Sequence, residues 1–194
     1  MWDHYQTMRI ACEQICRGRA PWVALGNFMN DWYANHFFER EQLIIDPLPE
    51  TYPSEHHQWV AFCAASVRWF CSTYEVPHPS WVNDPRYVLS EPWYMRDHPP
   101  SYQHYLRETT AEEFVHHNIY CGNRVYTNKY ERNDQNRLLG EHPVDVEKRR
   151  ALARKTTERL AQEWTERDRM IQEYMPTAQA IRAASMERKR AAQQ

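Results

Sequence analysis

Glycine is what this chain has least of, four residues in 194, against a usual share of about 7%. Glycine-rich phosphate loops need backbone at positive φ and close approach to a ligand. Neither G-x-G-x-x-G nor G-x4-G-K-[ST] occurs, which removes the usual dinucleotide and nucleoside-triphosphate loops. A β-sandwich or barrel, whose tight turns call for φ > 0 again and again, is disfavoured by the same shortage. No G-x-S-x-G elbow is present for a serine hydrolase.

Long apolar runs are missing too. Nothing approaches the roughly 18 residues a membrane span needs, so no membrane role is expected. The N-terminal MWDHYQTMRI has no basic stretch followed by an apolar one, and no secretory signal is read there. Five cysteines, Cys12, Cys16, Cys63, Cys71 and Cys121, form no C-x-x-C framework. An odd count without spacing signals points to reduced core thiols and a cytoplasmic location.

The net charge of −2 hides a split. Residues 1–142 carry 12 Lys and Arg against 18 Asp and Glu, a net of −6; residues 143–194 carry 12 against 8, a net of +4. Aromatics are abundant, with eight Trp and twelve Tyr, and seven of the Trp lie within residues 1–93. The composition describes an aromatic-rich domain over 1–142 and a basic amphipathic C-terminal helix over 143–194.

Periodicity gives an all-α fold of about five or six body helices. A helix is read over 3–19 and a second from Pro21, where Trp22, Leu25, Phe28, Met29 and Trp32 mark a core face. In 55–75 the residues Trp59, Val60, Cys63, Val67, Phe70, Cys71 and Tyr74 draw one apolar stripe, the central helix. Residues 76–100 hold half of the twelve prolines and read as a long ordered loop with a short turn at 84–89. Short helices are expected at 101–108 and 110–118, the latter with a Thr110–Glu113 capping box. A hairpin or a helix fits 119–130 equally.

After a boundary at Gly140–Pro143, the tail helix carries a narrow stripe of Leu152, Leu160, Trp164, Ile171 and Met175. Pro176 is expected to kink or end it. A helix of about 30 residues is about 45 Å long, and so narrow a stripe suits one seam. Its own body, a second copy of the chain or a foreign partner can cover it, and the length favours a partner.

Several constellations invite chemistry. His56–His57 and His116–His117, with Cys63 and Cys121, resemble metal-ligand material, as does the one-turn pair Cys12–Cys16; surface histidines and core thiols explain them more simply, and no metal or cofactor is assigned. Arg137-x4-His142 matches the Arg/His spacing of HEPN-type ribonucleases, but Gly140 and Pro143 put it at a helix end. A basic and aromatic patch, Tyr120, Arg124, Tyr126, Lys129, Arg132 and Arg137, suits single-stranded nucleic acid or a protein interface. The acidic surroundings favour protein.

The segments PWVALGNFMNDWY (21–33), DPLP (46–49), WVAFCAASVRWFCSTYEVPHPSWVNDPRYVLSEPWY (59–94) and TTAEEFVHHNIYCGNRVYTNKYE (109–131) carry a resemblance. Over about residues 20–131 the chain resembles a family of small, largely uncharacterised bacterial proteins that includes antitoxin-like partners of nucleotidyltransferase-type toxins. The resemblance implies a cytoplasmic helical module that acts by occluding a partner and brings no catalytic residues with it. Trp81, Trp93, Tyr94, Leu160, Trp164 and Ile171 are the expected partner anchors. The alternative is a nucleic-acid-binding accessory protein using the 120–137 patch and the basic tail. A HEPN-like or metal-dependent ribonuclease comes third.

Overall fold

In a computed structural model, residues 5–95, 98–128, 130–131 and 145–191 are described, with side chains described as far as 173. The fold is all-α. Six α-helices stand among the described residues: α1 (Met8–Cys16), α2 (Pro21–Asn30), α3 (His57–Tyr74), α4 (Pro100–Thr109), α5 (Glu112–Val115) and α6 (Val146–Ala191). A parallel pair of two-residue strands, β1 (Trp93–Tyr94) and β2 (Ile119–Tyr120), joins loop segments across α4 and α5. None of the helices is long and apolar enough to cross a membrane among the described residues.

α1 is shorter than its sequence suggested because both ends are chemically closed. Thr7 Oγ1 accepts from the Ile10 amide at 3.1 Å, an N-cap. At the other end Gly18 sits at φ +89°, letting the Gly18 and Arg19 amides reach the carbonyls of Ile15 and Gln14. α2 starts at Pro21 as expected and runs on into a π-helical turn, Asp31–Asn35. Asp31, buried there, accepts from the Gln6 amide at 2.7 Å and the Asn35 amide group at 2.8 Å. Of the expected core face, Leu25, Phe28 and Trp32 are fully buried, whereas Trp22 stays 45% exposed with its edge on Trp59 and Phe62.

α3 is the centre of the body. Its sequence suggested a single stripe, yet it is buried on nearly every side, from Val60 through Val67 and again at Trp69, Phe70, Cys71, Thr73 and Tyr74. Ala61, Ala64, Ala65 and Ser66 are small, so neighbouring segments approach the faces between the large side chains. The aromatic cluster around it is dense: Phe70 lies 4.8 Å from Trp32 and 4.6 Å from Tyr126 by ring centres, and Trp69 lies 5.0 Å from Tyr126. Such tilted pairs contribute about 0.5–1.5 kcal/mol each beyond area burial.

Of the expected loop over 76–100, residues 76–95 form a proline-rich connection pinned by two 3₁₀ turns, Ser80–Asn83 and Pro85–Tyr87, and by β1, and Pro100 already opens α4. The capping box does not form. Thr110 Oγ1 donates to the Leu106 carbonyl at 2.7 Å and accepts from the Gly122 amide at 2.7 Å, so α5 begins after Ala111 without a side-chain cap. The described residues of 119–130 are neither hairpin nor helix, because β2 pairs with β1 in parallel register and turns follow.

The chain divides into two compact units, 1–154 and 155–194. The expected boundary at Gly140–Pro143 lies outside the described residues, and the first turns of α6 belong to the first unit. Leu152 and Ala153 are buried. Arg149 pairs with Glu113 at 2.8 Å, Arg150 donates to the Ser72 carbonyl at 2.9 Å, and Arg154 pairs with Glu75 at 2.8 Å. The second unit is helical to Ala191. Its exposed face carries Arg159–Glu163 and Arg169–Glu166 pairs, each worth a few tenths of a kcal/mol. α6 does not end at Pro176, which lies inside its hydrogen-bonded span. A proline withholds one N–H, and the Ala-, Arg- and Gln-rich sequence on its far side is strongly helix-forming.

Candidate interaction surface

Two sequence-remote tyrosines meet through the small sheet. The register places Tyr94 opposite Tyr120, and their rings stack at 5.3 Å with a 24° tilt. Arg107, exposed on α4, lays its guanidinium 4.8 Å from the Tyr120 ring centre and 5.6 Å from that of Tyr94. Both rings are half-buried. This platform of two aromatic faces and one cation forms only because β1 follows the proline-rich loop and β2 follows α5. Tyr94 was an expected protein anchor and Tyr120 an expected nucleic-acid contact; the fold puts them side by side. Arg107 had no signal in the sequence, being a lone Arg beside the buried Leu106.

The other expected residues have varied fates. Trp81 is half-buried, donates its indole N–H to the Ile44 carbonyl at 3.1 Å and meets Tyr87 edge-on, so it holds the loop to the body. Trp93 packs edge-on against Trp59 at 5.3 Å and Phe62 at 6.3 Å. On α6 the expected anchors differ: Leu160 is a correction, since at 4% exposure it is buried and has no face to offer a partner, whereas the half-buried Trp164 ring lies beneath Arg167 at 4.4 Å and Ile171 is 47% exposed. Arg124 is exposed on the turn after β2. Tyr126 is a correction, since its ring is 2% exposed and its hydroxyl donates to Ser66; no base can stack on it. Lys129, Arg132, Arg137 and His142 lie outside the described residues, and with them the Arg/His pair of the ribonuclease reading.

The thiols and histidines of the body are turned to packing. Cys12 forms a hydrogen bond with Cys63 that pushes its thiol pKa up, reinforced by burial, and burial pushes Cys16 and Cys71 up to about 12. His117 is fully buried with Nδ1 2.8 Å from the Tyr87 carbonyl. A carbonyl only accepts, so the ring proton sits on Nδ1, and burial holds the pKa down to about 4. His57 sits with its Nδ1 3.0 Å from the Tyr52 hydroxyl. Among the described residues no three His, Cys, Asp or Glu side chains come together as metal ligands.

A second polar cluster, invisible in the sequence, lies in the core. Tyr74 donates to Glu131 at 2.8 Å and Asn128 to the other carboxylate oxygen at 3.0 Å. The Arg40 guanidinium lies over the Tyr74 ring at 4.5 Å and its Nε donates to the Trp32 carbonyl. Burial raises the Tyr33 and Tyr74 pKa values and lowers that of Arg40. The arrangement ties Asn128 and Glu131 to α3 and to the segment after α2. No protein-family model, curated protein or solved structure matches this chain.

Proposed function

We propose that the chain is a non-enzymatic protein-binding module that acts as an antitoxin does, by covering the working surface of a protein partner. The observation that carries this reading is the Tyr94–Tyr120–Arg107 platform. Tyrosine and arginine are the residues in which binding energy concentrates, because each offers a rigid face plus a polar tip at low entropic cost. Trp164 and Ile171 on α6 add apolar side chains of the kind that lie in a partner's groove. The partner implied by the family resemblance is a nucleotidyltransferase-type toxin. A nucleic-acid role is less well supported, since the platform carries one cation and a buried Tyr126 leaves the basic patch without a third stacking face.

The test is co-expression of the chain with a nucleotidyltransferase-like protein encoded beside it, followed by affinity measurement on the purified pair. Arg107→Ala and Tyr120→Ala should each weaken binding by about 2 kcal/mol, roughly thirtyfold. A chain ending at Arg154 keeps the docked turns of α6 and isolates the contribution of residues 155–194. Unchanged affinity in both platform variants refutes the reading. Binding to RNA that falls steeply with salt favours the nucleic-acid alternative instead, and dimerisation lost on truncation makes a second copy the occupant of the α6 stripe.

A further inference from the structure

Arg9, Arg86, Arg149, Arg154 and Arg169 each hold a carboxylate. Arg107 does not. It is exposed on α4, lies over the Tyr120 and Tyr94 rings at 4.8 and 5.6 Å, and makes no hydrogen bond or ion pair among the described residues. An acid is at hand, since Glu108 follows it on α4, yet Glu108 lies 3.1 Å from His104 instead. The same arrangement recurs at the anchor on α6. Arg167 is exposed, lies 4.4 Å from the Trp164 ring centre and holds no acid among the described residues. The nearby Glu163 and Glu166 pair with Arg159 and Arg169.

A guanidinium resting on aromatic faces is attracted by the ring quadrupole, which restricts the side chain and leaves its N–H edges to another acceptor. Tyr94 and Tyr120 are themselves fixed by the β1–β2 ladder. The cation therefore stands on a rigid base and loses little further freedom when an acceptor arrives. Its fork of donors matches a group with two oxygens, a carboxylate or a phosphate, through two parallel hydrogen bonds. Charge decides between them. A nucleic-acid strand brings one phosphate per nucleotide and needs several cations, whereas residues 1–142 carry a net charge of −6 and the platform a single guanidinium. One cation in acidic surroundings answers one carboxylate on a protein face.

We infer that the platform is a carboxylate receptor: the protein partner presents an Asp or Glu side chain to Arg107, which takes it through two hydrogen bonds while resting on the tyrosine rings. Arg167 does the same beside Trp164. This rests on the protein-binding reading of the platform, and makes the partner's face acidic opposite each anchor.

The probe is fluorescein-labelled decaglutamate, titrated into the full chain at about 50 mM salt and followed by anisotropy, with decauridylate as the phosphate counterpart. Decaglutamate should bind saturably and more tightly than decauridylate. Arg107→Met keeps an unbranched side chain over the rings without the charge and should weaken decaglutamate at least about fivefold. Arg107→Lys should fall in between, because an ammonium keeps the charge and loses the fork. In the purified pair with the co-expressed partner, Arg107→Met should weaken binding about tenfold and flatten its salt dependence, and Arg107→Glu should weaken it at least about a hundredfold. No saturable decaglutamate binding, equal binding by Arg107→Met, or tighter binding of decauridylate each overturns the assignment, the last in favour of a phosphate. If Tyr120→Ala weakens the pair while Arg107→Met leaves both affinity and salt dependence unchanged, the partner reading stands and carboxylate recognition falls. Decaglutamate held through Arg107 by a chain that binds no protein partner is the reverse outcome.

Discussion

Acid should loosen the body through one residue. His117 is fully buried and holds the Tyr87 carbonyl through Nδ1. Burial is the main force lowering its pKa, from 6.5 to about 4; the Tyr87 hydrogen bond opposes this, and the nearby His116 and Arg68 add to it. Between these two values the unfolded chain binds a proton that the folded chain refuses, so stability rises with pH across the window and is complete above about 6.5. For this one group the loss on acidification is about 0.8 kcal/mol at pH 6, about 2 at pH 5 and about 3 at pH 4. His117 and its neighbour Asn118 also anchor the platform: the Leu89 amide donates to the His117 carbonyl and the Trp93 amide to that of Asn118. The assay is urea unfolding followed by tryptophan fluorescence at half-unit pH steps from 7.5 to 4.5. The parent is compared with His117→Asn, which keeps a donor near the Nδ1 position and cannot charge. The variant is less stable at pH 7 through lost volume, but the gap should narrow by about 2 kcal/mol on reaching pH 5. Parallel profiles for the two proteins would refute a buried neutral imidazole.

Three further outcomes follow from single contacts. Gly122 sits at φ +72°, and a Cβ there would lie 3.1 Å from Leu106 Cδ2; Gly122→Ala should cost about 1–2 kcal/mol, a fall of several degrees in the circular-dichroism melt. Glu113 and Arg149 are only 13% and 12% exposed in their side chains, so Glu113→Gln should destabilise by about 2 kcal/mol. The double variant Glu113→Gln/Arg149→Met should then lose less than the sum of the singles in urea unfolding; full additivity would show that the pair is uncoupled. Tyr74→Phe deprives the buried Glu131 of a donor and should cost about 1–2 kcal/mol with no change in circular dichroism at 25 °C; a loss below 0.5 would mean that water replaces the hydroxyl.

The central helix, the start of α2 at Pro21, the proline-rich loop and the helical tail were legible because each rests on local chemistry. Apolar spacing over several turns, a fixed proline φ and a lack of N–H donors act within a few residues of themselves. Boundaries were less legible where two local signals competed. Thr110 had a cap to make with α5, but its hydroxyl serves Leu106 and Gly122 instead. Trp22 had the spacing of a core residue and lies at the end of its helix, half in solvent.

By itself, then, the sequence determined an all-α chain with an aromatic body and a charged tail, because helical periodicity, proline and the shortage of glycine are properties of neighbours along the chain. Tertiary structure alone decided which aromatics face outward and which polar atoms lack partners. Tyr94 and Tyr120 are 26 residues apart and meet through a two-residue ladder; Tyr126, six residues further on, turns inward to Ser66. Ser72 and Arg150 meet only because the first turns of α6 dock onto α3. Contacts between distant segments depend on where every intervening element packs, and no local spacing encodes that.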